Sequence, residues 1–341
     1  MISLRIYALF TGVLIATSVH PQTVKIGTID VYGNREIHTD TILKRARISE
    51  GDSISQKILL NRTIEKSIRS IPGIKLAKTA LVCCDRNGNY HLFIGVAESD
   101  TNILSHRAAP RLRIKLPVKY SNAYAQFSER LSDAVQTGQA QDDWSEGHSL
   151  MNYGPARKIQ EKYKIWADEN FSDLRKILRS SAYDGQRATA AQVIAYHFDK
   201  KEVVPELMYA IIDESEEVRN NAIRAIAVIA YYSCQHPEKK INIPYMPFIR
   251  LINSVVWSDR NKGLSVLLQL TRSRDPEILS NLKVLSLPAL KEMAMWKSEA
   301  HALPAYIILQ RIAGIPEESI NRFAEVSNFA DEAAKLADSI K

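Results

Sequence analysis

The chain has 341 residues, 45% hydrophobic and 24% charged, with only 13 glycines and 13 prolines. That length accommodates two ordinary domains with real cores, and the composition excludes wholesale disorder and fibrous repeats. The net charge of +7 is too diffuse by itself to indicate nucleic acid, and three cysteines cannot form a dense disulfide framework.

Residues 1–18 read as a secretory signal. Arg5 precedes an apolar run from Ile6 to Ala16, and Ala16-Thr17-Ser18 supplies small residues for cleavage. The run is about a dozen residues, short of the roughly 20 that a spanning helix needs. No cysteine lies near the cleavage site, which disfavours a lipid anchor. The expectation is an exported chain, periplasmic or extracellular, soluble or peripherally associated with the envelope.

Val24, Ile26, Ile29 and Val31 mark a strand that ends at Gly33-Asn34. Thr39 or Asp40 caps a helix carrying Ile42, Leu43 and Ala46, and Gly51-Asp52 interrupts the chain. A second helix from about Ser55 places Ile58, Leu59, Ile64 and Ile68 on one face and stops at Pro72-Gly73. Strands follow from Lys75 to Cys84 and from Tyr90 to Glu98, joined at Asn87-Gly88, where both residues tolerate positive φ. Cys83 and Cys84 at a strand end point to opposite faces, so two unpaired thiols are expected.

This βααββ order, Gly33-Asn34, Gly51-Asp52 and the closing Val96-Ala97-Glu98 resemble a POTRA domain over residues 24–98. The resemblance implies a polypeptide-binding module of outer-membrane assembly, secretion or division machinery, one that adds a client strand to its sheet edge. The carboxy-terminal β-barrel that usually accompanies it has no counterpart in the pattern.

Residues 99–154 read as a basic connector and linker. Between 105 and 120 there are five basic residues and no acid, and Arg111, Arg113, Lys115 and Lys119 share one period-two face. A solvated, charge-protected edge strand is favoured over docking on anionic lipid or an acidic partner. A helix follows from about Asn122 to Val135. The glycine-punctuated stretch 138–154 reads as linker, with His148 a solvated loop histidine.

From Pro155 the pattern is helical and repeats. Arg187 precedes Ala190, Arg219 precedes Ala222, Arg260 precedes Gly263, and a looser fourth copy has Glu299 and Ala302. Asp184, Asp213 and Asp259 precede the arginines, and Pro205 and Pro247 open the partner helices. The segment Asp213 to Ala222 resembles the signature of a HEAT repeat. The resemblance implies an α-solenoid over about 155–325, presenting an extended concave protein-binding surface, with a C-terminal helix or tail at 326–341. The fold class expected is multidomain α+β, a small POTRA-like domain plus a larger all-α array.

The polar turns gather Trp257, Asn261, Lys262, Trp296, Glu299 and His301 near one rim, a candidate peptide groove with tryptophan anchors. The competing reading is a structural ladder with core tryptophans. HEAT-like hydroxylases carry His-Glu dyads, and this chain has no His-Glu dipeptide. HExxH, P-loop, GxSxG and dinucleotide motifs are missing as well. No catalytic residue, metal or cofactor is therefore assigned. The favoured function is a non-enzymatic envelope adaptor with protein partners, open to peripheral membrane contact and without a role for nucleic acid. A homo-oligomeric structural protein and a secreted hydrolase or lyase using the Asp259–His301 rim stay open, as does the oligomeric state.

Overall fold

The structure, a computed structural model, describes residues 23–55, 62–85, 87–99, 103–323 and 329–340. The signal expected at 1–18 and the helix positions Ile58 and Leu59 lie outside these residues. The protein is a multidomain α+β chain that divides into two units. One unit comprises residues 105–245; the other joins the described residues up to 104 with those from 246 onward.

The N-terminal part contains β1 (Thr23–Tyr32), α1 (Thr39–Ala46), β2 (Ser53–Ser55), α2 (Thr63–Arg69), β3 (Leu76–Val82) and β4 (Tyr90–Ala97). The sheet order is β2-β1-β4-β3, with β1 parallel to β4 and the other pairs antiparallel. The short β2, which pairs Ser53–Ser55 with Thr23–Lys25, has no counterpart in the expected order. Period-two alternation turns Ile29, Leu92, Ile94 and Val96 toward Ile42, Ile64 and Ile68 of the two helices, forming one apolar core. The β3–β4 turn is held by Asp85, whose carboxylate accepts from the backbone N–H groups of Asn87 and Asn89. The Glu98 carboxylate accepts from three successive backbone N–H groups, those of Arg35, Glu36 and Ile37, and so fixes the entry to α1. Cys83 and Cys84 are not two unpaired thiols: β3 ends at Val82, and the two form a disulfide in the turn beyond it.

The unit of residues 105–245 begins with an extended strap rather than the expected edge strand. Arg107 bridges to Asp213 and Leu112 to Ser181, so the strap runs across the turns of successive helix pairs. Leu112 donates its N–H to Ser180 O and accepts from Ala182 N; Arg107 does the same with Ile212 O and Glu214 N. Turn backbone groups thus supply the partners that a neighbouring strand would give. Next comes α3 (Val118–Gln136). The stretch read as linker holds β5 (Asp142–Asp143) paired with β6 (Leu150–Met151), and both residues of β6 are buried.

Then come α4 (Gly154–Glu169), α5 (Phe171–Ser180), α6 (Asp184–Ile194), α7 (Lys200–Ala210) and α8 (Glu216–Gln235). Pro205 lies inside α7 rather than at its opening; the Asp199 carboxylate caps that helix by accepting from Lys201 N. The repeat arginines are buried and organise the turns. Arg187 grips both oxygens of the Asp213 carboxylate at 2.9 and 2.8 Å and donates to Ser181 O six residues upstream. Arg219 donates likewise to Asp213 O, again six residues upstream.

The C-terminal part of the other unit contains α9 (Met246–Leu251), α10 (Trp257–Leu270), α11 (Pro276–Ala294), α12 (Glu299–Ile312), α13 (Glu317–Phe323) and α14 (Phe329–Ser339). Arg260 repeats the pattern by donating to Ser254 O. Glu299 is the first residue of α12, aligned with Asp184, Glu216 and Trp257 at their helix starts. The arginine offset in α12 is therefore occupied by Ala302, not by Glu299.

Candidate functional site

The face of the sheet opposite α1 and α2 presents Asp30, Tyr32, His91, Phe93 and Gly95, and the turns and helices of residues 254–301 cover it. Phe93 stacks at 5.3 Å from Trp257, 5.0 Å from Trp296 and 5.7 Å from His301. Tyr32 contacts Trp296 at 5.8 Å and donates its hydroxyl to Val255 O at 2.9 Å. Gly95 lets this happen: a Cβ there would meet Val255 O and come within 2.6 Å of the Tyr32 ring. A glycine inside a strand signals such a close backbone approach, and it was the one sequence signal pointing to this interface.

The candidate rim is consequently not an open groove. Trp257, Asn261, Lys262, Trp296 and His301 are all buried, and only Glu299 is exposed. The physical reason is that two amphipathic faces of one chain cover each other. The tryptophans anchor the chain's own N-terminal sheet, which lies about 160 residues upstream in sequence (Phe93 against Trp257). Asn261 has no hydrogen-bond partner for either side-chain atom among the described residues.

Polar contacts complete the junction. Glu292 accepts from Gly33 N at 2.7 Å and from Arg260 Nη1 at 2.6 Å, while the Arg260 guanidinium lies 4.4 Å above the Tyr32 ring. Asp30 accepts from Lys297 N at 3.1 Å; burial raises its carboxyl to about 6 despite that bond. Burial and the nearby Lys262 and His91 push His301 down to about 3, so its ring is neutral at ordinary pH.

On the other side, β3 ends the sheet, and its outer edge pairs with no strand among the described residues. Leu76 packs against Val255 and Val256, while Lys78–Leu81 are half-buried and Val82 is buried. The buried Glu65 of α2 reaches round this edge and accepts from Thr79 N at 2.9 Å and from Thr79 Oγ1 at 3.2 Å. A side chain thus occupies a backbone donor that an added strand would use.

In the unit of residues 105–245, Arg111, Arg113, Lys115 and Lys119 are exposed along the strap and the start of α3. His148 is buried rather than solvated, with Lys200 Nζ at 3.5 Å from its Nδ1. Burial lowers His148 to about 4 and Lys200 to about 7. Lys200 also donates to Ala195 O and His197 O, carbonyls of the turn that follows α6, and so ties that turn to the start of α7.

Residues 171–238 match the family model for HEAT repeats. The matched span contains Arg187, Asp213 and Arg219, the residues that tie its turns together. These helices form a helical repeat solenoid, an architecture generally used for protein interaction. A designed armadillo repeat protein is 17% identical, with a TM-score of 0.34, over 55% of this chain and 94% of its own. No curated protein matches the chain.

Proposed function

We propose that the protein is a non-enzymatic protein-binding scaffold of the cell envelope. In this reading, HEAT repeats hold one partner and a POTRA-like module engages an extended polypeptide at β3. Two observations carry it: the outer edge of β3, which pairs with no strand among the described residues, and, in the other unit, the match of residues 171–238 to HEAT repeats. Support for the POTRA-like reading comes from the placing of β4 between β1 and β3, in an order that departs from βααββ only by the short β2, and from Glu98 closing the loop after Gly33-Asn34. Export rests on the sequence: Arg5 and the apolar run Ile6–Ala16. An incoming strand would displace Glu65 from Thr79 and take over its backbone donor.

The test is site-specific photo-crosslinking in cells, followed by envelope fractionation. A benzophenone side chain at Lys78 is expected to capture discrete polypeptides in the envelope fraction, and one at the exposed Lys44 of α1 is not. Glu65→Ala should raise the yield at Lys78. Equal adducts at both positions, or adducts confined to the cytosolic fraction, would contradict the proposal.

A further inference from the structure

At the start of the strap the Arg107 guanidinium is tied to Asp213 and Tyr209 O, whereas from 111 to 119 the strap is fixed through its backbone and the buried Leu116. Leu112 is pinned through both its N–H and its carbonyl to the turn at Ser180–Ala182, and Ser181 Oγ donates to Ile114 O. Leu116 N donates to Gln186. Because the fixing contacts are made by the main chain, most of the side chains from 111 to 119 are free to face solvent. Arg111, Arg113, Lys115 and Lys119 do so, and none of the four makes an ion pair among the described residues. Leu112 is 54% exposed and Val118 is 73% exposed.

An edge strand would have buried one of its faces. This strap instead places two bare aliphatic side chains among four unpaired cations, with Lys115 lying 4.7 Å over the ring of the half-exposed Tyr183. Asp184, next to that tyrosine, turns its carboxylate onto Gly185 N. Lys119 lies over the Tyr120 and Trp166 rings, and Glu169 and Asp173 are the acidic groups that act on that tyrosine.

We infer that this strip is a docking surface for an anionic lipid membrane. The cations complement a negatively charged headgroup layer, and each basic residue near such a surface strengthens binding about five-fold. The interleaved Leu112 and Val118 decide between lipid and an acidic polymer. A polyanion would satisfy the charges and leave the aliphatic side chains in water, whereas the headgroup–acyl boundary takes up both. The inference is independent of the polypeptide edge at β3.

The experiment is co-sedimentation of the full chain with phosphatidylcholine vesicles, with and without phosphatidylglycerol. Pure phosphatidylcholine gives the charge-independent baseline, including any contribution of the apolar run at Ile6–Ala16. Above that baseline, binding to the anionic vesicles is expected to fall about a hundred-fold in the Arg111→Gln, Arg113→Gln, Lys115→Gln triple variant. It should also fall when salt shortens the Debye length from about 30 Å to about 3 Å. Arg111→Lys with Arg113→Lys should retain it, which separates lost charge from lost fold. Leu112→Ser with Val118→Ser should weaken vesicle binding without changing binding to polyglutamate. The inference is overturned if anionic vesicles bind no better than neutral ones, or if the triple variant binds like the parent. It is also overturned if polyglutamate or RNA binds as tightly as vesicles while the serine variant loses nothing.

Discussion

Burial sets the chemistry of individual side chains here. The Arg187–Asp213 pair is fully buried and bidentate, with the remaining guanidinium nitrogen on Ser181 O. Truncating one partner strands the other charge, so Asp213→Ala should cost about 3–5 kcal/mol in denaturant titration. Replacing both partners with apolar residues should cost less. Asp30 works in the opposite sense. Its carboxyl is raised to about 6 from 3.8, so its contribution to stability is complete below pH 3.8 and lost as pH rises through 6. Asp30→Asn keeps an acceptor for Lys297 N, and it should raise Tm at pH 8 while giving no gain below pH 4. For His301 the folded value, about 3, lies under the ordinary 6.5. The unfolded chain therefore takes up the proton first, and stability falls from pH 6.5 downward by about 1.4 kcal/mol per pH unit. His301→Gln should flatten that slope in acid-range unfolding curves; an unchanged slope would show that the ring is not buried as described.

At the scale of elements, the junction between β4 and the start of α10 and α12 depends on Phe93. Phe93→Ala should cost about 3–5 kcal/mol, and Gly95→Ala about 1–3 kcal/mol by forcing the strand off Val255. Both are readable as shifts in thermal unfolding. Local signals made many of these elements legible in the sequence. Asn87-Gly88 marks the β3–β4 turn, and the recurring arginine and small residue mark α6, α8 and α10. What escaped was set by pairing between distant segments. The three-residue β2 exists through its register with Thr23–Lys25. The strap has the alternation of a strand, but its partners are turn carbonyls and amides near Ser181 and Asp213, a role that composition does not distinguish from an edge strand. Trp257, Trp296 and His301 carry the same residue types whether they face a partner's groove or the chain's own sheet. Only Gly95, inside a strand, hinted at which.

For the whole molecule, the division into units does not follow chain order. The described residues from 23 to 104 belong to one unit with the described residues from 246 onward, whereas 105–245 form the other unit. Sequence patterning, read segment by segment, points to a module followed by an array and carries no information about this return of the chain. The aromatic face at residues 257–301, once a candidate for a partner, is occupied internally. That leaves β3 as the site proposed for polypeptide and the strap as the site inferred for lipid.

The central claim is that the N-terminal sheet and the helices after residue 246 form one structural unit through Phe93, Trp257, Trp296 and His301. Hydrogen-exchange mass spectrometry of the full chain, comparing the parent with Phe93→Ala, tests it most directly. The account predicts that the substitution raises exchange together in peptides from 90–97, 257–270 and 299–312, while α6 and α8 keep their protection. Faster exchange confined to the sheet, with 257–312 unchanged, would contradict it.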